Sequence, residues 1–351
     1  MKRYVALALA LCAVFVVPLG NQLPVAFGQE ATAFAKKNGD VNGDGTRNLS
    51  DAVALLDWLF LSGPAPAQLE AATRVAELEG ALTAATKRIK ELEAFVEEHE
   101  TIEDFERIGR NPQGYMEYKH LKTRMTFVRL PGGTFRMGNS DLECAGGAHE
   151  RPVHDVAISS FLISKYECTQ DQWLRTVGTE PWSFAGPTLP VETVSRKDIR
   201  VFEQVTGLAL PSESQWEYAC RAGTTTHFAF GDTITRAQAN FFAAFISCGS
   251  PAGKSLHRTV PVDSYEPNPF GLYNMHGNVA EWCVDIYDAE FYDQPAAAGP
   301  DPVSFTGSEY TSFRGGSWAN TAANCRSAVR EWDDEEYNDE FIGFRPIFPL
   351  P

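Results

Sequence analysis

The hydrophobic pattern changes period several times along the 351-residue chain. Val5 to Val17 is a continuous apolar run behind Lys2 and Arg3, too short to span a bilayer comfortably. It is followed by the small residues of Ala26-Phe-Gly28, so residues 1–28 read as a secretory signal cleaved before Gln29. A second apolar run, Ala52-Val-Ala-Leu-Leu56, predicts a short helix that Pro64-Ala-Pro66 stops. Beyond it Val75, Leu78, Leu82, Ala85, Ile89, Leu92 and Val96 alternate three and four apart. That spacing is an a/d seam and predicts a coiled-coil-like helix over 67–100, with self-association through residues 75–96. A single amphipathic helix packed on the main domain is the plainer alternative. Residues 101–122 read as a polar linker, and the main domain occupies 123–351.

Within that domain the pattern shortens. Met125-Thr-Phe-Val-Arg-Leu-Pro-Gly-Gly-Thr-Phe-Arg-Met-Gly138 alternates around Gly-Gly and predicts two strands and a turn. Val153 to Ile163 predicts another strand pair. Helices are predicted over Asp198–Thr206 and over Ser212–Arg221, the latter entered at Pro211 with Ser212 as N-cap. Short strands, few helices, 28 Gly and 21 Pro predict an α+β fold rich in turns rather than a helical bundle.

A net charge of −16 argues against nucleic acid or an anionic membrane surface as partner, since both need a basic face. It suits cation binding and solubility. The signal places the mature chain outside the cytoplasm, as a secreted, periplasmic or cell-surface protein, where disulfides form. Cys12 leaves with the signal. The remaining Cys144, Cys168, Cys220, Cys248, Cys283 and Cys325 allow fifteen full pairings, which sequence cannot separate. No C-x-x-C is present, so a closed zinc site or thioredoxin-type motif is not expected.

Residues 29–66 hold one complete calcium loop. Oxygen side chains stand at Asp40, Asn42, Asp44, Asn48 and Asp51, Gly45 makes the sharp turn, and Thr46 offers its carbonyl. With the apolar run after it the loop resembles a dockerin half-repeat, of which the chain carries one. Gly-x-Ser-x-Gly, Walker-type and HExxH patterns are absent. Asp333 to Glu340 holds six acids in eight residues and reads as a solvated loop, with a cation or basic ligand as the sharper alternative.

Five further stretches occur in a telling order. They are Gly132-Gly-Thr-Phe-Arg-Met-Gly138, Leu210-Pro-Ser-Glu-Ser-Gln-Trp-Glu-Tyr218, Phe270-Gly-Leu-Tyr-Asn-Met-His-Gly-Asn-Val279, Arg314-Gly-Gly-Ser-Trp318 and Gly343-Phe-Arg345. Together they resemble the formylglycine-generating enzymes, or sulfatase-modifying factors, over about 225 residues from Met125 onward. The resemblance implies a C-type-lectin-like fold with bound Ca²⁺. It implies calcium ligands at Asn274 and Glu281 through side chains and at Gly277 and Val279 through carbonyls, a mix that Ca²⁺ accepts. A helix start capped by Asn278 is the alternative. A second ion is implied at Asn240 and the Phe241 carbonyl.

The family's oxidase holds Cu(I) between two cysteines. Cys325 matches the second of them, but Asn320 stands at the first. Ala280 replaces a tryptophan and Thr321 a histidine of the pocket, while Ser317 is retained. Soft Cu(I) favours two thiolates. The expected function is therefore a secreted, calcium-stabilised family member without copper oxidase activity, serving as a binding or assembly module for a protein or carbohydrate ligand. The alternative is an O₂-dependent oxidase converting a target Cys to formylglycine, with Cu(I) as cofactor and Cys325 and Ser317 as catalytic residues.

Overall fold

The computed structural model describes residues 80–88, 101–139, 144 and 146–350. The expected signal over 1–28 and the calcium loop from Asp40 to Asp51 lie outside the described residues. Chain contacts divide the protein into two units, Met1–Glu100 and Thr101–Pro351. In the first, residues 80–88 form a helix, α1, with every residue exposed. Of the predicted seam only Leu82 and Ala85 fall within it, and the rest of the seam lies outside the described residues.

The second unit is built on three sheets. The largest has the order β1-β2-β3-β6-β11, from β1 (Phe105–Arg110), β2 (Met116–His120), β3 (Thr126–Leu130), β6 (Phe161–Ser164) and β11 (Ile347–Pro349). Residues 101–122, expected as a linker, thus carry its first two strands. Their polarity has a physical reason. β1 is an edge strand facing water along most of its length, and β2 alternates, with Met116, Tyr118 and His120 inward. A second sheet pairs β4 (Gly133–Met137) with β5 (His154–Ile158). The strands on either side of Gly132 are therefore not a hairpin: β3 and β4 belong to different sheets, and so do β5 and β6. Close packing holds Gly132 at the crossing, where a Cβ would lie 2.7 Å from the Ile158 carbonyl oxygen. The third sheet has the order β10-β7-β8-β9, from β7 (Ala280–Ile286), β8 (Tyr310–Arg314), β9 (Glu331–Asp334) and β10 (Ile342–Gly343).

Three helices pack among the sheets: α2 (Gln170–Thr176), α3 (Arg196–Thr206) and α4 (Glu213–Arg221). α3 starts two residues before the predicted Asp198. The Ser195 hydroxyl accepts from the Asp198 amide and the Asp198 carboxylate accepts from the Ser195 amide, which closes a capping box. Gly207, left-handed at φ 74°, ends the helix. α3 buries Ile199 and Phe202; the Phe202 ring stacks on Trp173 of α2 and meets Phe344 edge-on. α4 follows its prediction, with Ser212 as N-cap, and is buried on nearly every side.

Residues 222–279 contain no helix or strand. Their backbone is satisfied by turns and isolated bridges and by buried side chains, as buried polar groups require. Asn268 shows the device: its amide donates to the Ala219 and Cys220 carbonyls at the end of α4, and its oxygen accepts from the Phe270 and Leu272 amides.

Candidate metal and catalytic site

Strand β8 delivers the Gly-Gly-Ser turn over Cys325. Gly315 and Gly316 are left-handed, with φ 94° and 63°. A Cβ on Gly316 would lie 2.8 Å from the Cys325 sulfur, so only glycine passes there. Ser317 donates its hydroxyl to Asn320 Oδ1 at 2.6 Å and accepts from the Ala319 amide. The Asn320 carbonyl accepts from the Phe242 amide at 2.8 Å. Asn320 is therefore held on both its side chain and its backbone. Thr321 donates to Asn324 Oδ1, and Ala280 is buried in the core beside Trp282.

Cys325 is fully buried, its sulfur 4.0 Å from the Ser317 carbonyl oxygen. Burial pushes its thiol up to about 12, so it stays protonated at neutral pH. His276 cannot deprotonate it. Its Nδ1 donates to the Cys325 carbonyl at 2.8 Å and its Nε2 accepts from the Ala229 amide at 3.0 Å. Both nitrogens are committed, and burial lowers the imidazole to about 4. The pocket thus brings together Ser317, Asn320 and Cys325 in a hydrogen-bonded turn over a neutral thiol.

The expected calcium ligands lie on a tightly curled loop and, for Glu281, on the start of β7; in the loop Asn274, Gly277 and Asn278 have φ of 53°, 83° and 66°. Asn274 donates to Glu167 and to the Val262 carbonyl; Asn278 donates to the other Glu167 oxygen at 2.8 Å. Glu281 is held by the Arg345 guanidinium, at 2.7 Å from Nη2, and by the Trp216 indole N–H at 2.7 Å. A carboxylate offers about four lone-pair positions, so Glu281 fits a cation only as a shared ligand. Glu167, which the sequence reading did not single out, completes the cluster. It is buried, and burial pushes it up to about 7 despite the nearby Arg345. Two buried carboxylates around one guanidinium leave excess negative charge, which suits a bound cation or a proton.

The second implied ion meets a different arrangement. Arg236 Nη1 donates to the Ala239 carbonyl, to Asn240 Oδ1 and to the Phe241 carbonyl, each at 3.2 Å. The guanidinium thus donates to the same oxygens that the resemblance implied as calcium ligands at Asn240 and Phe241.

The second unit also holds a buried ionic frame. Glu213 of α4 accepts from Arg330 at 2.7 and 2.8 Å and from Ser312; Arg314 reaches both Glu213 and Glu217; Glu217 also accepts from Arg221. Burial opposes ionisation of Glu213, but the two arginines outweigh it and hold it at about 2.

A family-wide profile for sulfatase-modifying factor enzyme 1-like domains matches residues 112–348. The chain belongs to that family. It is 29% identical over 252 residues to serine/threonine-protein kinase pkn1 of Chlamydia caviae, covering 64% of this chain and 38% of that protein. It therefore spans less than two fifths of that relative's length. To the formylglycine-generating enzyme of Thermomonospora curvata it is 27% identical over 278 residues, 62% of this chain and 91% of that one. To the inactive Cα-formylglycine-generating enzyme 2 of Bos taurus it is 26% identical over 280 residues, 63% and 87% respectively. Among solved structures, PvdO from Pseudomonas aeruginosa matches with a TM-score of 0.57 and 28% identity, over 67% of this chain and 98% of that one. The fold is thus the C-type-lectin-like one of the sulfatase-modifying factors, an α+β architecture as the sequence predicted.

The family profile begins at 112, inside the stretch read from sequence as linker. Two family-site neighbours escaped the sequence reading. Glu167 lies 107 positions from Asn274, and Arg236 carries no motif of its own. Their one sequence signal was that polar side chains in a loop-rich domain need partners.

Proposed function

We propose that this sulfatase-modifying factor family member is a secreted, calcium-stabilised binding or assembly module without copper oxidase activity. The observation that carries the reading is the Ser317–Asn320 hydrogen bond over Cys325. An amide occupies the first cysteine position, and its oxygen already takes the Ser317 hydroxyl. A neutral thiol and an engaged carboxamide do not offer Cu(I) the paired thiolates it favours. Similarity to a relative named inactive supports the same reading.

Calcium enters this proposal at two places. The loop from Asp40 to Asp51 supplies a full ligand set, and the cluster of Asn274, Gly277, Val279 and a shared Glu281 supplies the other. The ligand is a protein or a carbohydrate, met outside the cytoplasm, and the seam over 75–96 joins copies of the chain.

The test is direct. Reduced protein is titrated with Cu(I) and incubated with a Cys-x-Pro-x-Arg peptide under O₂, the target type that the family resemblance implies. The expected result is no tight copper complex and no aldehyde. Asn320→Cys is expected to gain copper binding while restoring little turnover, since Ala280 and Thr321 are unchanged. A hydrazide-reactive aldehyde made by the unmutated chain would overturn the proposal in favour of the oxidase.

A further inference from the structure

Six cysteines follow the expected signal, and the structure sorts them into two kinds. Cys168, Cys220, Cys283 and Cys325 are free and buried. Cys144 and Cys248 are joined, closing a loop across 104 positions, with Cα atoms 5.1 Å apart. Beside this pair stands His227, whose Nδ1 is 3.9 Å from the Cys248 sulfur. The ligand atoms of Cys144, Cys248 and His227 all lie within 4.8 Å of one another, and among the described residues no other group of three His, Cys, Asp or Glu converges in this way. Cys144 is buried, while Cys248 and His227 are only partly covered, so solvent reaches one side of the cluster.

We propose that Cys144, Cys248 and His227 form a three-ligand site for a borderline-soft divalent cation, Zn²⁺ above all, when the Cys144–Cys248 bond is reduced. Two thiolates and an imidazole are a donor set that Zn²⁺ takes in tetrahedral geometry, with water in the fourth place on the solvent side. Two sulfurs at ~2.3 Å from one zinc stand about 3.8 Å apart. Side-chain rotation covers that separation with the Cα atoms where they are.

The redox step balances without the metal. A dithiol reductant gives two electrons and two protons to the sulfur–sulfur bond and becomes a disulfide itself. Zn²⁺ then displaces both thiol protons to solvent, and the imidazole binds neutral. His227 Nδ1 also lies 3.3 Å from the Asp232 carbonyl, so in the oxidised chain the ring donates there. Metal uptake exchanges that contact or leaves it in place, depending on which ring nitrogen binds. In either state the same two stretches of chain are tied together, by sulfur when oxidised and by the ion when reduced.

The experiment uses the full chain, reduced with a dithiol, freed of it anaerobically, and titrated with Zn²⁺ against a chromophoric chelator. One equivalent is expected to bind the reduced chain and none the oxidised chain. Cys144→Ser and Cys248→Ser are expected to abolish uptake, and His227→Ala to weaken it by about tenfold or more, as loss of one ligand in three implies. An unchanged melting temperature of oxidised His227→Ala shows that the variant is folded. Co²⁺ provides a readout on the unmutated chain, through thiolate-to-cobalt charge-transfer absorption of a strength that reports two sulfurs. No uptake by the reduced chain, uptake indifferent to the three substitutions, or a cobalt spectrum without two thiolates each overturns the proposal.

Discussion

Arg236 places one guanidinium among three oxygens that a metal ion could equally have held. Removing it would leave the Asn240 side chain and two carbonyls turned toward an empty centre. Arg236→Met is therefore expected to lower the melting temperature in metal-free buffer, the loss being about 1–3 kcal/mol for charge-assisted hydrogen bonds to polar groups away from bulk water. Millimolar Ca²⁺ is expected to recover part of it, because a cation that binds only the native state stabilises it. Calorimetry with and without calcium reads both effects. A variant as stable as its parent would mean that the guanidinium is incidental. At this scale the sequence was legible where partners are neighbours. Ser317, Asn320 and Cys325 lie within nine positions and were found together. Glu167 was not, since Asn274 and Asn278 reach it across 107 and 111 positions.

Helix α4 shows what an element can carry when its surroundings are built for it. Nearly all of it is buried, yet it bears Glu213, Glu217 and Arg221. Asp285 of β7 adds a fourth charge at its start, accepting from the Glu213 amide at 2.8 Å and from the Ser304 amide at 3.0 Å. Burial, and then the Glu213 carboxylate, push Asp285 up to about 7 from an ordinary aspartate value. A carboxyl raised on folding binds its proton more tightly in the native state. Its effect on stability is most favourable at low pH and is lost as pH rises through the unfolded value near 4 toward about 7. Denaturant melts from pH 5 to 8 are expected to show a decline of roughly 1–3 kcal/mol from this source. Asp285→Asn is expected to flatten that slope, whatever its cost in absolute stability. An unaltered slope would assign the pH dependence elsewhere. The existence of α3 and the Ser212 cap of α4 were readable because they are local, while the Ser195 cap of α3 was not singled out. The sheet partners of β3, β4, β5 and β6 were not, because a Gly-Gly stretch signals a turn without saying whether the chain stays in one sheet.

For the molecule as a whole, the two units allow the calcium proposal to be divided. Chelation is expected to lower the melting temperature of the full chain, and also that of a chain starting at Thr101, where the second unit begins. An ion held at 100 times its dissociation constant is worth about 2.7 kcal/mol. A response confined to the full chain would put calcium in the Asp40–Asp51 loop alone, and no response in either would remove it from both places. The buried ionic frame has a further consequence, for how this molecule comes to be folded. Its members are drawn from Glu150, from Glu213 and Glu217, from Glu281, from Arg314, Arg326 and Arg330, and from Arg345. Glu217 and Arg221 on α4 are four positions apart, but the other pairs join distant stretches: Glu213 meets Arg330 across 117 positions and Glu150 meets Arg326 across 176. Contacts of such separation fold slowly, because loop closure must precede the gain. A partly synthesised chain would bury acids before their arginines existed, which is unfavourable. The second unit is thus expected to stay open until nearly all of it has been made, then to close in one cooperative step. That behaviour agrees with the secretion proposed above, in which the polypeptide would be threaded across a membrane before it folds.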